Sequence, residues 1–175
     1  MVVQMHGEPG SGKSALARAI APRIGAVVLD KDVIKSALLR AGIEASLAGG
    51  AAYEVYFEMA RSLVELGHSV VLDNPVFWPR VEERWLELSR AAGCRPILIE
   101  CVCGDRDELR RRLTTRDGMA SQPREPLDLL RHPGAAATAF EPRLTLDTTR
   151  PLDSIAEQAM AYIAGRCAAA TGAAP

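Results

Sequence analysis

Residues 6–20 read HGEPGSGKSALARAI, directly after the apolar run at residues 2–5. The spacing Gly7-x-x-x-x-Gly12-Lys13-Ser14 is that of a phosphate-binding loop, and it constrains the fold more than any other feature of the chain. Such a loop needs a strand to deliver it and a helix to continue it. Glycines at 7, 10 and 12 let the backbone turn tightly and approach an anion, so that successive N–H groups point at phosphate oxygens. Lys13 adds a mobile positive charge and the Ser14 hydroxyl is a magnesium ligand. A helix from Lys13 to about Ile24 sets its positive dipole end beneath the phosphates. The candidate nucleotide-binding residues are Gly7, Glu8, Pro9, Gly10, Ser11, Gly12, Lys13, Ser14 and Ala15. ATP and GTP both satisfy this loop.

Strand signals recur at residues 2–5, 26–30, 69–73, 95–102 and 143–147, with helical patterns between them. Parallel strands need long crossovers that cover both faces of a sheet, so this alternation predicts an α/β fold with a parallel sheet and helices on both sides. Tyr56, Met59, Ala60, Leu63 and Gly67 mark one helical stripe, and Val81, Trp85 and Leu88 mark another. Leu152, Ile155, Ala159 and Ile163 mark a final helix, with Pro151 suited to its first turn and Ser154-x-x-Glu157 resembling a capping box. Residues 39–50 are interrupted by glycines and residues 117–126 by prolines, so both read as irregular connections. At 175 residues the chain fits one domain over residues 1–165, with a frayed tail at 166–175.

A hydrophobic content of 48% supports a filled core, and a net charge of -1 gives no general footprint for nucleic acid. No apolar run approaches bilayer length and the first residues lack the order of a signal peptide, so a cytoplasmic protein with no membrane partner is expected. Cys94, Cys101, Cys103 and Cys167 form no CxxC pair and read as buried free thiols.

Three carboxylates follow strand signals. In a doubly wound sheet, ligands bind beyond the carboxyl ends of the strands, which brings Asp30, Asp32 and Asp73 beside the phosphate loop. One acid there can hold a metal or its water while another accepts the proton of an attacking hydroxyl. Asp32 reads as that base or as a helix cap, and Asp30 as a metal ligand or a partner of the loop. Asp73 reads as a metal-coordinating acid near the substrate or as a turn residue in Asp-Asn-Pro. Lys35 faces either an anionic substrate or solvent. Phe77, Trp78 and Arg80 follow Asp73 closely and are candidates for a substrate wall, with core packing or helix capping as the alternatives.

The stretch GDRDELRRRLTTRDG reads as a helix capped near Asp105, with Leu109 and Leu113 on its buried stripe. At about 100° per residue, Arg112 and Arg116 fall close to that stripe and Arg110 and Arg111 rotate away. Inward guanidinium groups need anions, either phosphate oxygens or local acids such as Asp105 and Glu108.

The segments GEPGSGKS, LDKDVIK, AAYEVYFEMARSLVELGHSVVLDNPVF and DELRRRLTTR, in that order, resemble the small P-loop kinases over about residues 1–165. That group includes chloramphenicol phosphotransferase, shikimate and gluconate kinases, zeta-toxin-like kinases and the kinase domain of polynucleotide kinase. The resemblance implies a five-stranded parallel sheet in order 2-3-1-4-5, a lid over about residues 105–135, and transfer of the ATP γ-phosphoryl group to a hydroxyl. It matches Asp32 to a catalytic base, Asp30 to a metal-associated acid, Arg112 and Arg116 to lid arginines, and Arg124, more loosely, to a returning lid arginine.

The expectation is therefore a magnesium- and ATP-dependent phosphotransferase acting on a small hydroxyl compound, such as a natural product, sugar or nucleoside, as a monomer or homodimer. Catalytic roles fall to Lys13, Asp32, Arg112 and Arg116, metal binding to Ser14, Asp30 and Asp73, and substrate contact to Asp32, Lys35, Asp73, Phe77, Trp78, Arg80 and Arg124. A 5′-hydroxyl kinase of nucleic acid and a non-transferring nucleotide-hydrolysing switch are the competing readings.

Overall fold

In the computed structural model, the residues described are 1–74, 78–122 and 140–171. Phe77 and Arg124, both sequence candidates, lie outside them. Five strands, β1 (Val2–His6), β2 (Ala26–Asp30), β3 (Ser69–Asp73), β4 (Ile97–Val102) and β5 (Leu144–Asp147), form one parallel sheet in the order β2-β3-β1-β4-β5.

Side chains alternate between the two faces of a strand, and the apolar runs are sorted accordingly. Val3, Met5, Val71, Ile97 and Ile99 pack on one face against α1 (Lys13–Ile20) and the last helix, α6 (Leu152–Thr171). Val2, Val70, Leu72 and Leu98 pack on the other, against Tyr56, Phe57 and Ala60 of α3 (Ala45–Glu65) and Val81, Trp85 and Leu88 of α4 (Pro79–Ala91). With apolar cover on both sides, every residue of β1 is buried. The loop it feeds is thereby anchored at the centre of the sheet.

Several sequence boundaries move. The predicted connection at 39–50 shrinks to residues 41–44: α2 (Lys31–Arg40) ends there and α3 runs straight through Gly49 and Gly50. Each glycine costs a helix about 1 kcal/mol relative to alanine, but burying Ala48, Ala52, Tyr56 and Phe57 on one stripe outweighs that, at roughly 1.5–3 kcal/mol per large side chain. Met59 departs from that stripe and is exposed. The tail expected from residue 166 is helical to Thr171, since its alanines are the best helix formers. Ser154 lies inside α6 and Glu157 pairs with Arg23 at 2.9 Å, so no capping box forms. The span assigned to a lid opens with a packed helix, α5 (Arg106–Thr115), which buries Leu109 and Leu113. All four cysteines are free, but Cys167 is exposed and Cys94 only half-buried. No helix among the described residues is long and apolar enough to cross a membrane.

Candidate active site

The loop between β1 and α1 holds three glycines at positive φ: Gly7 at 139°, Gly10 at 83° and Gly12 at 84°. Neighbours enforce the choice as firmly as the dihedrals. A Cβ on Gly7 would collide with the carbonyl oxygen of Cys101, and one on Gly10 would press on Leu109 and Leu113 at 3.0 Å. The loop is therefore wedged between β4 and α5. Pro9, Gly10, Gly12, Lys13, Ser14 and Ala15 line a cleft of about 1190 Å³. Gly7 and Ser11 instead sit in packing against the sheet, and Glu8 turns away to meet Arg106 at 2.9 Å.

The β2–β3 register sets Asp30 directly across from Asp73 at the carboxyl edge of the sheet. Asp30 caps α2, accepting the Asp32 N–H at 2.9 Å, so the helix cap is Asp30 and Asp32 stays on the first turn with its side chain in the cleft. Burial, reinforced by the Asp73 charge, raises the Asp30 carboxyl above its ordinary range. Burial raises Asp73 too, against the pull of Lys13 and the Ser14 hydroxyl. Asp30 Oδ2 and both Asp73 oxygens are buried and no well-formed hydrogen bond satisfies them, although Arg18 stands 3.7 Å from Asp30 Oδ2 and the Ser14 hydroxyl is close to Asp73. Such carboxylate oxygens next to a phosphate loop suit a divalent cation, and magnesium commonly takes one or two carboxylates plus substrate phosphates. The residues fit the metal that the sequence implies.

Arg110, Arg111 and Arg112 divide on α5 as the periodicity predicts, whereas Arg116, predicted on the same helix, follows its end. Arg110 and Arg111 are exposed and bond Asp107 and Glu108, while Arg112 and Arg116 line the cleft. Arg112 is nevertheless fully engaged by the protein: it donates to Glu108 at 2.8 Å, to the Thr148 hydroxyl at 2.9 Å and to the Thr148 carbonyl at 2.8 Å. The ion pair and both bonds to Thr148 fix the guanidinium at the edge of the cleft. Hydrogen bonds from Arg111 and Arg112 hold the Glu108 carboxyl at about 2. Thr148 also donates to the Val102 carbonyl at 3.1 Å and packs under Gly12, so it ties the arginine to the loop. Arg116 lies one residue beyond α5 on extended backbone.

Across the cleft, α2, α3 and α4 build a second wall. Asp32 and Lys35 are on it, as are Trp78 and Arg80. Members that escaped the sequence reading include Lys31, Tyr53, Glu54, Phe57 and Arg84. Lys31 Nζ sits 2.8 Å from Asp32 Oδ1 and 5.4 Å from the centre of the Tyr53 ring. Glu54 is held by Arg84 at 2.6 Å and by Arg80 at 3.3 Å, and the Arg84 guanidinium lies 4.9 Å over Phe57. Burial pushes the Tyr53 hydroxyl up to about 12. Helical spacing was the available signal: Lys31 and Lys35, Tyr53 and Phe57, and Arg80 and Arg84 are all i, i+4 pairs. Below, Gln4 and Tyr56 both donate to Asn74 Oδ1, at 3.0 and 2.7 Å, in a buried network that fixes the chain after Asp73.

A parallel sheet in this order, a phosphate loop after its central strand and acids at the carboxyl ends of β2 and β3 define the P-loop nucleoside triphosphatase fold. The chain belongs to the family described as AAA domain, which it matches over residues 2–132. Its fold is similar to that of a sugar kinase from a Janibacter species (TM-score 0.66, 18% identity, 97% of this chain and 96% of that one). It is similar also to a gluconokinase from Sinorhizobium meliloti (TM-score 0.60, 19% identity, 95% and 93%). A Mycobacterium tuberculosis APS kinase, solved with AMPPNP and APS, superposes with a TM-score of 0.64 at 20% identity over 93% of this chain and 96% of that one. In sequence, an uncharacterized Mycobacterium tuberculosis protein is 31% identical over 109 residues, 55% of this chain and 22% of its own length. The shared stretch is thus about a fifth of that curated relative.

Proposed function

We propose that this protein transfers the γ-phosphoryl group of ATP to a hydroxyl of a small molecule. One observation carries the reading: a single cleft runs from Lys13 and Ser14, past Asp30 and Asp73, to Asp32 and a wall containing Tyr53, Phe57 and Trp78. Its volume of about 1190 Å³ exceeds the ~300–1,000 Å³ of a typical small-molecule site, which leaves room for a nucleotide and a second substrate together. The AMPPNP bound to the similarly folded APS kinase supports ATP as the donor.

In this reading the loop N–H groups and Lys13 hold the β- and γ-phosphates, and Arg112 contacts the nucleotide. Ser14, Asp30 and Asp73 hold magnesium, which supplies charge neutralisation at those phosphates. Asp32 takes the proton from the acceptor hydroxyl as its oxygen meets the γ-phosphorus, and Arg116 stabilises the charge on the equatorial oxygens. Lys35, Trp78 and Arg80 contact the acceptor, with Phe77 and Arg124 as further sequence candidates.

The test is a phosphotransfer screen of hydroxyl compounds with ATP, using Asp32→Asn as control. Loss of about 10²–10⁴-fold in kcat with AMPPNP binding retained is expected. Full activity in that variant would remove the assigned base, and ATP turnover that responds to a protein partner but to no alcohol would overturn transfer altogether.

A further inference from the structure

The wall formed by α2, α3 and α4 carries a charge imbalance. These helices present four cations to the cleft, Lys31, Lys35, Arg80 and Arg84, against two carboxylates, Asp32 and Glu54. Arg80 and Arg84 share Glu54, and Glu58 stands 3.7 Å from Arg84, so Asp32 is the cleft-lining carboxylate that α2 itself sets beside Lys31 and Lys35, with Asp30 and Asp73 at the strand ends behind it. Lys35 forms no ion pair or hydrogen bond with any described side chain. Lys31 and Lys35 are i, i+4 on the first turns of α2, on one face and next to its positive dipole end.

The ion pair of Lys31 with Asp32 conflicts with a working base. The Lys31 side chain is 12% exposed and its nitrogen lies 2.8 Å from Asp32 Oδ1, which ties up one of the two carboxylate oxygens of the assigned base and withdraws charge from both. A strong charge-assisted hydrogen bond must be given up or shared before that oxygen can accept. A neutral alcohol offers nothing in exchange. An anionic group on the acceptor does: it draws Lys31 off Asp32 and uses Lys35 and the dipole as well.

We propose, building on the kinase reading above, that the acceptor is an anionic hydroxyl compound and that Lys31 binds its negative group. Lys31 thereby acts as a specificity residue that frees Asp32 only when such an acceptor is present. The step balances: Asp32 takes the hydroxyl proton, the acceptor oxygen bonds to the γ-phosphorus, and the bond from that phosphorus to the bridging oxygen breaks, leaving its electron pair on ADP. The Tyr53 ring, 5.4 Å from Lys31 Nζ, adds a cation–π contact that supports the ammonium where it stands.

The experiment uses two small probes, glycerate and glycerol, titrated calorimetrically into protein saturated with AMPPNP and magnesium so that the phosphate loop is filled. Wild type is expected to bind glycerate at least tenfold more tightly than glycerol. Lys31→Met should lose about 10–100-fold in glycerate affinity, the value of one charged hydrogen bond, while keeping AMPPNP affinity. Lys31→Arg should restore most of the loss. Equal binding of the two probes, or unchanged glycerate binding in Lys31→Met, overturns the proposal. Efficient phosphotransfer to neutral alcohols would overturn it and leave the kinase standing, whereas Lys31-dependent glycerate binding with no phosphotransfer to any hydroxyl compound would keep the anion site and remove the kinase.

Discussion

The two walls of the cleft are built on different principles. The nucleotide wall is backbone: glycines at positive φ, an N-terminal helix turn, and strand ends whose register puts Asp30 opposite Asp73. The acceptor wall is side chain: i, i+4 cations and aromatics on three helices, whose charges hold one another through Lys31–Asp32 and Arg80–Glu54–Arg84. A backbone site has no slack, because its groups are fixed by the fold and removing one leaves no substitute. A side-chain site has partners to spare and can be retuned without disturbing the sheet.

The largest effects should therefore come from the nucleotide wall. Lys13→Ala is expected to lower turnover by about 10³-fold, because a preorganised charge at the phosphates has no replacement within reach. Gly7→Ala should be as severe by another route, since its Cβ would collide with the Cys101 carbonyl oxygen and the backbone there is at φ 139°. Circular dichroism and AMPPNP binding separate the two: Lys13→Ala stays folded, while Gly7→Ala loses the loop or the fold. A Gly7→Ala protein that binds AMPPNP normally would show that the loop tolerates more than its geometry allows.

This difference also explains what could be read from the sequence. Gly7, Gly12, Lys13 and Ser14 carry their geometry in their spacing, and Asp30 and Asp73 end apolar strands, so the nucleotide wall was legible, while the strand order followed from the resemblance to small P-loop kinases. Arg112 was placed on the right face of α5 by periodicity, but its bonds to Thr148 join residues far apart in the chain and no local pattern encodes them. Lys31, Tyr53, Glu54 and Arg84 were missed because each looks like an ordinary helix-surface residue until three helices converge. Gly49 and Gly50 misled in the opposite direction: local propensity called for a break, and the burial of Ala48, Ala52 and Tyr56 overrode it.

Between the walls lies Arg116. Arg116→Ala is expected to lower kcat by about 10²-fold while changing AMPPNP affinity little, the signature of a contact made chiefly in the transition state. Equal loss in both would move Arg116 to the nucleotide wall as a ground-state contact.

A smaller effect, on stability, follows from the two buried acids. Asp73 and Asp30 are both raised by burial, so the folded protein holds protons there that the unfolded chain has released. Between the ordinary carboxylate value and the raised one, stability falls as pH rises, and it is fully present only below that window. Asp73→Asn should then raise the Tm of the metal-free protein at pH 7 and flatten its acid-side pH dependence. Magnesium with ADP should raise the Tm of wild type more than that of the variant. A lower Tm for Asp73→Asn at pH 7 would mean that the carboxylate is already compensated.

The smallest effect tests the redundancy of the acceptor wall. Glu54 has two arginines, but they are not equivalent: Arg80 is 78% exposed at 3.3 Å, whereas Arg84 is 23% exposed at 2.6 Å and stacks over Phe57. An exposed pair of this kind contributes about 0–1 kcal/mol, and a half-buried guanidinium packed on a ring contributes more. Arg80→Ala should leave Tm within about 1 °C of wild type, since Arg84 still holds Glu54. Arg84→Ala should cost about 1–2 kcal/mol by removing both the stronger ion pair and the packing on Phe57. Equal losses would mean that the two arginines act as one clamp, and the acceptor wall would then be as rigid as the nucleotide wall facing it.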